Sequence, residues 1–371
     1  MSSLRIIFAG GGTGGHLFPA LAIADEIKRS TPDAEILFIG TKNKIESRII
    51  PTTEYGLRTI WISGFHRSLR MSNVLLPLKM IVSFLQSYWI MRSFKPHAVV
   101  GTGGYVSGPV LRAAILAGVP TLIHEQNSYP GVTTRLLAPK VSEVHLTFER
   151  SRKFLKGSRA TFISGNPTRL SLENANRGEA LKYFGFSTTE NMKTVLLFGG
   201  SLGARSLNDA MASSVAPLME KKVRLIWQTG RDDHERIREI TTQFPADRIW
   251  VNAFIERMDY AYAVSDLVVC RAGATTIAEL TRLGKPSVLV PYPHAAANHQ
   301  VENAQALSEA GATVIVYDHE IRDKLFSTIT DLIESEHLGK MSEKSKTLGK
   351  PGAASIIANH VIQLAHRYGR T

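Results

Sequence analysis

Nine short apolar runs punctuate this chain: "IIFAG", "EILFIG", "HAVVGTGG", "VPTLIHE", "ATFISGNP", "TVLLFGGS", "VRLIWQTG", "DLVVCRAG" and "KPSVLVP". They are continuous rather than alternating, and most lead into glycine or a helical pattern. A strand that is apolar on both sides must be covered on both sides, which is the condition of a parallel sheet with helices above and below. The fold class expected is α/β, with a doubly wound sheet. A strand, a glycine loop and a helix open residues 6–15 and again residues 195–203. Two similar α/β domains follow, with ligands at the carboxyl ends of their strands. A length of 371 residues suits two such domains. The turn "SGNPTRL" and the polar "ENANRG" after it read as the link. The expected division is therefore 1–164, 165–350 and a terminal helix, "AASIIANHVIQLAHRYG", within 351–371.

Charge separates the two halves. The whole chain carries +12, but residues 1–165 hold 20 Lys+Arg against 9 Asp+Glu, while residues 166–371 are nearly balanced. A basic half predicts a polyanionic partner, either nucleic acid or an anionic membrane surface. Within that half, residues 73–96 place Leu75, Leu78, Val82, Leu85 and Trp89 at helical spacing, with Arg67, Arg70, Lys79, Arg92 and Lys95 on or near the segment. Pro77, Lys79 and Gln86 interrupt it, so it is a poor transmembrane span; it is either core or a helix lying in a membrane interface. The single cysteine, Cys270, excludes an internal disulfide and a cysteine metal cluster and fits a reducing compartment. The start, "MSSLRIIFAGGG", has no secretion-signal pattern.

Five glycines occupy six positions in "FAGGGTGGHLFPA". Gly10, Gly11, Gly12, Gly14 and Gly15 let the backbone approach a ligand closely, and a helix starting near Pro19 would aim its positive end at an anionic group. A nicotinamide-dinucleotide site would need an acidic residue after the second strand, where this chain has Gly40, Thr41 and Lys42. No Gly-Lys-Ser/Thr closes any loop, which excludes a P-loop. Two more loops, "GTGGYVSGP" and "GGSLGAR", point to two phosphorylated ligands or to one shared between domains. Ser201 and the amides beside it suit a diphosphate. "CRAGATTIAEL" sets Arg271, Gly273, Ala274, Thr275 and Glu279 at a strand-to-helix junction, with Glu279 in reach of two ribose hydroxyls. Asn298, His299 and Gln300 in "PYPHAAANHQVENA" suit sugar hydroxyls.

Together, "GGGTGGHLFPALAIADEI", "GTGGYVSGPV", "PTLIHEQN", "SGNPTR", "LLFGGSLGAR", "VCRAGATTIAEL" and "NHQVENA" resemble the MurG family, the N-acetylglucosaminyl transferases that convert lipid I to lipid II in peptidoglycan synthesis. The resemblance spans residues 10–304 and implies GT-B architecture, two Rossmann-like domains facing a cleft. It implies UDP-GlcNAc in the C-terminal domain and lipid I entering from the N-terminal one. Carried over by position, Ser201 contacts the diphosphate, the Ile255 backbone meets uracil, and Glu279 binds the ribose with Ala274 and Thr275 beside it. Gln300 and His299 serve the GlcNAc, although some family members have Gln-Gln where this chain has His299-Gln300. Thr13, Gly14, Gly15 and Asn127 border the sugar, Arg169 reaches the cleft, and Gly103, Gly104 and Tyr105 offer a place for the lipid diphosphate.

A β-1,4 link made from an α-linked donor inverts the anomeric carbon, so a base must take the muramyl 4-hydroxyl proton. His16, with an ordinary pKa of about 6.5, is the first candidate, and Tyr105 and Glu125 are the others. The amides around Ser201 can stabilise the leaving UDP, and no Asp-x-Asp pair is present; Asp232 and Asp233 are adjacent on an expected helix and splay apart. No cofactor is expected to be required, with any stimulation by Mg arising at the acceptor diphosphate. The polyanion implied is then the anionic cytoplasmic membrane surface rather than nucleic acid, which places the protein peripherally on the inner membrane, alongside other cell-wall synthesis proteins. The rival enzyme reading is a UDP-GlcNAc epimerase or another transferase of the same architecture; a basic nucleic-acid-binding module leaves three glycine loops unused.

Overall fold

The computed structural model describes residues 3–64, 75–295 and 298–369. Arg67, Arg70 and Asn73 lie outside them. The chain forms two compact units, one from residues 1–169 and 351–371, the other from residues 170–350.

The first unit holds seven strands, β1 (Arg5–Gly10), β2 (Glu35–Gly40), β3 (Gly56–Thr59), β4 (Ala98–Gly103), β5 (Thr121–Glu125), β6 (Glu143–Leu146) and β7 (Thr161–Ile163). Its helices are α1 (Gly14–Ser30), α2 (Glu46–Ile49), α3 (Leu76–Phe94), α4 (Ser107–Leu116) and α5 (Val132–Leu137). All strand pairs are parallel, in the order β3-β2-β1-β4-β5-β6-β7. Ile6, Ile7, Phe8 and Ala9 of β1 are fully buried, Ile6 and Phe8 in the cluster on one face and Ile7 and Ala9 in that on the other. The strand order reverses between β1 and β4, and a crevice at their carboxyl ends is where such a sheet takes its ligand.

Helix α1 begins earlier than expected. Thr13 is its N-cap, its carbonyl accepting from the His16 and Leu17 amides at 3.2 Å each, and Pro19 lies inside the helix. Gly14, Gly15 and His16 therefore form the first turn, and the glycine loop proper ends at Gly12.

The second unit holds β8 (Thr194–Phe198), β9 (Arg224–Gln228), β10 (Ile249–Asn252), β11 (Leu267–Cys270), β12 (Ser287–Leu289) and β13 (Thr313–Ile315). They too are all parallel, ordered β10-β9-β8-β11-β12-β13. The helices are α6 (Arg177–Tyr183), α7 (Arg205–Glu220), α8 (His234–Thr241), α9 (Met258–Val264), α10 (Ala274–Leu283), α11 (His299–Glu309), α12 (Ile321–Glu334) and α13 (His337–Thr347). One core cluster gathers Val195, Leu197, Leu225 and Trp227 under α7 and α12; the other gathers Leu196, Phe198, Ile226 and Cys270 under α9 and α10.

The last helix, α14 (Ala353–Tyr368), belongs to the first unit. Its Ile357, Val361 and Leu364 are buried with Ile6, Phe8 and Leu17. At its side the Glu143 carboxylate accepts from His360 Nδ1 at 2.8 Å and from His145 Nε2 at 3.2 Å, and the His145 Nδ1 to Ser164 Oγ distance is 2.6 Å. The three side chains satisfy one another and tie α14 to β6.

Candidate active site

In the first unit the loops after β1, β4 and β5 bring Thr13, Gly14, Gly15, His16, Gly103, Gly104, Tyr105, Glu125 and Asn127 to the carboxyl end of one sheet. His16 Nδ1 lies 3.0 Å from the Thr102 carbonyl oxygen and 3.1 Å from Gln126 Oε1. A side chain at Gly103 would have its Cβ 2.5 Å from that same nitrogen, and Gly103 has φ +108°. The second glycine loop thus makes room for the imidazole of the first. Gly104, φ +78°, packs against the Gly11 carbonyl, and Tyr105 is exposed.

Two features change the reading of these loops. The buried Glu46 carboxylate accepts from the Gly12 amide at 2.8 Å, the Thr41 amide at 2.9 Å and the Thr41 hydroxyl at 2.8 Å. An anion does sit under the first loop, but it is a side chain, and it explains why Gly11 and Gly40 lack Cβ atoms, both of which would collide with it. Nothing in the local pattern announces Glu46, which stands on a separate one-turn helix. Glu125 is likewise committed: its oxygens accept from the Asn127 amide, Asn127 Nδ2, the Gly131 amide and the Thr134 hydroxyl at 3.1, 3.2, 3.0 and 2.6 Å. A carboxylate with four internal donors is an anchor for the 126–134 loop. Arg169 does not join this cluster; its guanidinium stacks on Phe18 of α1, 4.6 Å from the ring centre.

In the second unit the loops after β8 and β10 carry Ser201 and Ile255, while α10 after β11 carries Ala274, Thr275 and Glu279 and α11 after β12 opens with His299 and Gln300. Gly200 and Gly203 have φ of +97° and +79°, and Gly203 is pressed against Thr229 and Gly230. Ser201 is exposed, and α7 starts at Arg205 with no side-chain cap, leaving its amide end to a ligand. Gln228, a polar end to an apolar strand, links two sites: its Nε2 donates to the Gly200 carbonyl at 2.9 Å, and its Oε1 accepts from the Ile255 amide at 2.9 Å. Because that amide is taken, a uracil contact from Ile255 has to use its carbonyl.

Glu279 lies on α10, where the Tyr262 hydroxyl donates to its Oε2 at 2.9 Å. Tyr262 is fully buried, and burial with the carboxylate beside it raises its pKa well above the ordinary value, so it is a donor at every working pH. Gln300 accepts the Tyr292 amide at 2.9 Å through Oε1, which turns its NH2 group the other way. The buried Arg271 pairs with Asp318 and reaches Ser206 of α7 at 2.8 Å, fixing α7 to the β11 loop. Asp232 and Asp233 precede α8 rather than ride on it; Asp233 is buried against Arg205, Arg236 and Asn208, with no freedom to hold a metal. Gln228, Tyr262 and Glu46 were not singled out from the sequence; of these only Gln228, polar within "VRLIWQTG", left a trace there.

Two parallel-sheet units, each with loops at the carboxyl ends of its strands, define the GT-B fold. Residues 6–146 match the glycosyltransferase family 28 N-terminal domain, and residues 194–357 match the family's C-terminal domain. The UDP-N-acetylglucosamine–N-acetylmuramyl-(pentapeptide) pyrophosphoryl-undecaprenol N-acetylglucosamine transferase of Chlorobaculum parvum is 44% identical over 368 residues, covering 98% of this chain and 100% of the relative. The protein of the same name from Porphyromonas gingivalis strain W83 is 41% identical over 372 residues, covering 100% and 98%. The crystal structure of Acinetobacter baumannii MurG aligns with a TM-score of 0.72 at 28% identity, covering 97% of this chain and 99% of that one. The UDP-GlcNAc 2-epimerase of Neisseria meningitidis shares the fold at 15% identity and a TM-score of 0.69, covering 97% and 100%. The chain belongs to glycosyltransferase family 28, among its UDP-GlcNAc-dependent N-acetylglucosamine transferases.

Proposed function

We infer that this protein transfers GlcNAc from UDP-GlcNAc to lipid I, giving lipid II for peptidoglycan synthesis. The observation that carries this is the likeness to transferases of that name over the whole length of both chains. UDP-GlcNAc and lipid I are its substrates.

At residue level, His16 is the base. Both neighbours of its Nδ1 are oxygens, so a neutral imidazole holds its proton there and keeps the Nε2 lone pair for the muramyl 4-hydroxyl. As that proton moves to Nε2, the oxygen bonds to the anomeric carbon and the bond to UDP breaks on the opposite side. Ser201 and the free amide end of α7 take up the charge of the leaving diphosphate, and Glu279, held by Tyr262, binds the ribose. Ala274, Thr275, Gln300 and His299 complete the donor site of the second unit; in the first unit Thr13, Gly14, Gly15 and Asn127 line one loop cluster, and Gly103, Gly104 and Tyr105 take the lipid diphosphate. Neutral donors and helix ends supply the electrostatics, so turnover is expected to persist in EDTA, with added Mg acting only on the acceptor diphosphate.

The acceptor is a membrane lipid, and no helix among the described residues is long and apolar enough to cross a membrane. Helix α3 is inverted for a soluble protein: it buries Ser83, Ser87 and Met91 and exposes Leu78, Met80, Ile81, Leu85, Tyr88 and Trp89, with Trp89 73% exposed. That face, with Lys79 and Arg92 on the same helix, fits peripheral docking on the anionic cytoplasmic face of the inner membrane, near other cell-wall enzymes.

The direct test is transfer of labelled GlcNAc to a lipid I analogue with a shortened polyprenyl chain. Wild type should transfer it, Glu279→Ala should mainly raise the donor KM, and His16→Ala should mainly lower kcat. Formation of UDP-ManNAc without transfer would replace this reading with the epimerase one.

A further inference from the structure

We propose that Gln126 and His124 are positioning residues that hold His16 in its proton-accepting tautomer, through a hydrogen-bonded chain running back into the sheet. The proposal rests on His16 being the base, and adds what makes it one.

The chain has a single consistent set of donors. Gln126 Nε2 lies 2.8 Å from the Thr102 carbonyl and 3.2 Å from the His124 carbonyl, and two carbonyls admit only the NH2 end of an amide. Gln126 therefore turns Oε1 to His16, 3.1 Å from Nδ1. With one NH2 proton on the Thr102 carbonyl, the other goes to the nearer of the two remaining acceptors, His124 Nδ1 at 2.9 Å, so the His124 proton sits on Nε2, 3.1 Å from the Gly165 carbonyl. Reversing any member sets donor against donor or carbonyl against carbonyl. Gln126 and His124 are both buried, so the chain runs inside the protein.

His124 stays neutral. Burial, with His145 and His16 adding to it, holds its imidazole down to about 3, whereas a charged His124 would turn an N–H on the Gln126 NH2. The ionisable groups nearby are His145 on β6, whose register partner is His124, Glu46 beneath Gly12, and Tyr105 after β4; Glu125 faces its own loop. The effect on chemistry is twofold. Free imidazole favours the other tautomer, so oxygen acceptors at Nδ1 raise the fraction with a bare Nε2. Once the acceptor hydroxyl's proton reaches Nε2, the imidazolium keeps its second N–H between two oxygens, as an oriented base requires. "PTLIHEQN" thereby gains roles for two residues beyond Glu125 and Asn127.

The test is a cycle of Gln126→Leu, His16→Ala and the double variant, each first checked for UDP binding and thermal melting. Gln126→Leu should lower kcat about 10- to 100-fold, since the Thr102 carbonyl remains, with the donor KM within about 3-fold. Acting through His16, it should add nothing to His16→Ala, the double variant matching the single within about 2-fold. His124→Asn, which keeps an acceptor facing Gln126, should retain more activity than His124→Leu. Independent, multiplying losses in the double variant would overturn the proposal. Near-normal turnover of His16→Ala would instead remove the base assignment on which it stands.

Discussion

His124 and Tyr262 show how single buried side chains translate into measurable behaviour. The folded imidazole of His124 titrates at about 3, below its ordinary 6.5. Above pH 6.5 both folded and unfolded chains are neutral at this position and stability is complete. As pH falls below 6.5 the unfolded chain takes up a proton that the folded one refuses, so stability declines by about 1.4 kcal/mol per pH unit. Between pH 6.5 and 5 the loss is about 2 kcal/mol, and His145, lowered chiefly by burial, adds in the same direction. Urea midpoints at pH 7, 6 and 5 should show this slope in wild type and a shallower one in His124→Asn; equal slopes would mean that His124 is not held neutral. Tyr262→Phe removes one hydrogen bond from Glu279 and should raise the donor KM about 3- to 10-fold with kcat nearly unchanged. Gly103→Ala meets both the imidazole and a φ of +108°, so it should cost about 1–3 kcal/mol in melting experiments and lower kcat. These residues differ in legibility. Gly103 and Glu279 sit in motifs whose spacing can be read, whereas Tyr262 gains its role only because the fold brings its hydroxyl within 2.9 Å of the Glu279 carboxylate.

At the level of elements, α3 makes the sharpest claim. Leu78, Leu85 and Trp89 form an apolar face that helical spacing reveals, but spacing cannot say which way the face points, and packing against α4 turns it outward. Replacing Ile81, Leu85 and Trp89 together by serine should abolish co-sedimentation with anionic vesicles while leaving transfer to a short-chain acceptor intact. Undiminished sedimentation would assign membrane docking elsewhere. The strands follow a related rule. All nine continuous apolar runs became strands, but β3, β6, β10 and β13 were not among them. Three of these are sheet edges, with a neighbouring strand on one side only; β3 alternates exposed and half-buried residues, and β13 is three residues long. β6 is interior, but Glu143 and His145 occupy it and are satisfied by each other and by His360, a pairing no local pattern reports.

For the whole molecule, α14 closes the core of a unit whose other elements end at residue 169. Ile357, Val361 and Leu364 each bury an apolar side chain worth about 1.5–3 kcal/mol, which together approaches the full stability of a domain. A chain ending at residue 350 should therefore lose cooperative melting of its first unit in calorimetry while the second unit still binds UDP; two intact transitions would contradict this. The sequence by itself determined the α/β class, the two parallel sheets and the positions of the glycine loops, because continuous apolar runs and Cβ-free turns are local properties of the chain. Only the tertiary structure decided what each loop holds. Glu46 fills the first one, and His16 takes its proton position from residues 86 and 110 places away. Those partners meet because β1, β4 and β5 are neighbours in the sheet, and hydrogen bonds between loop ends depend on strand order and register, which no short stretch of sequence contains.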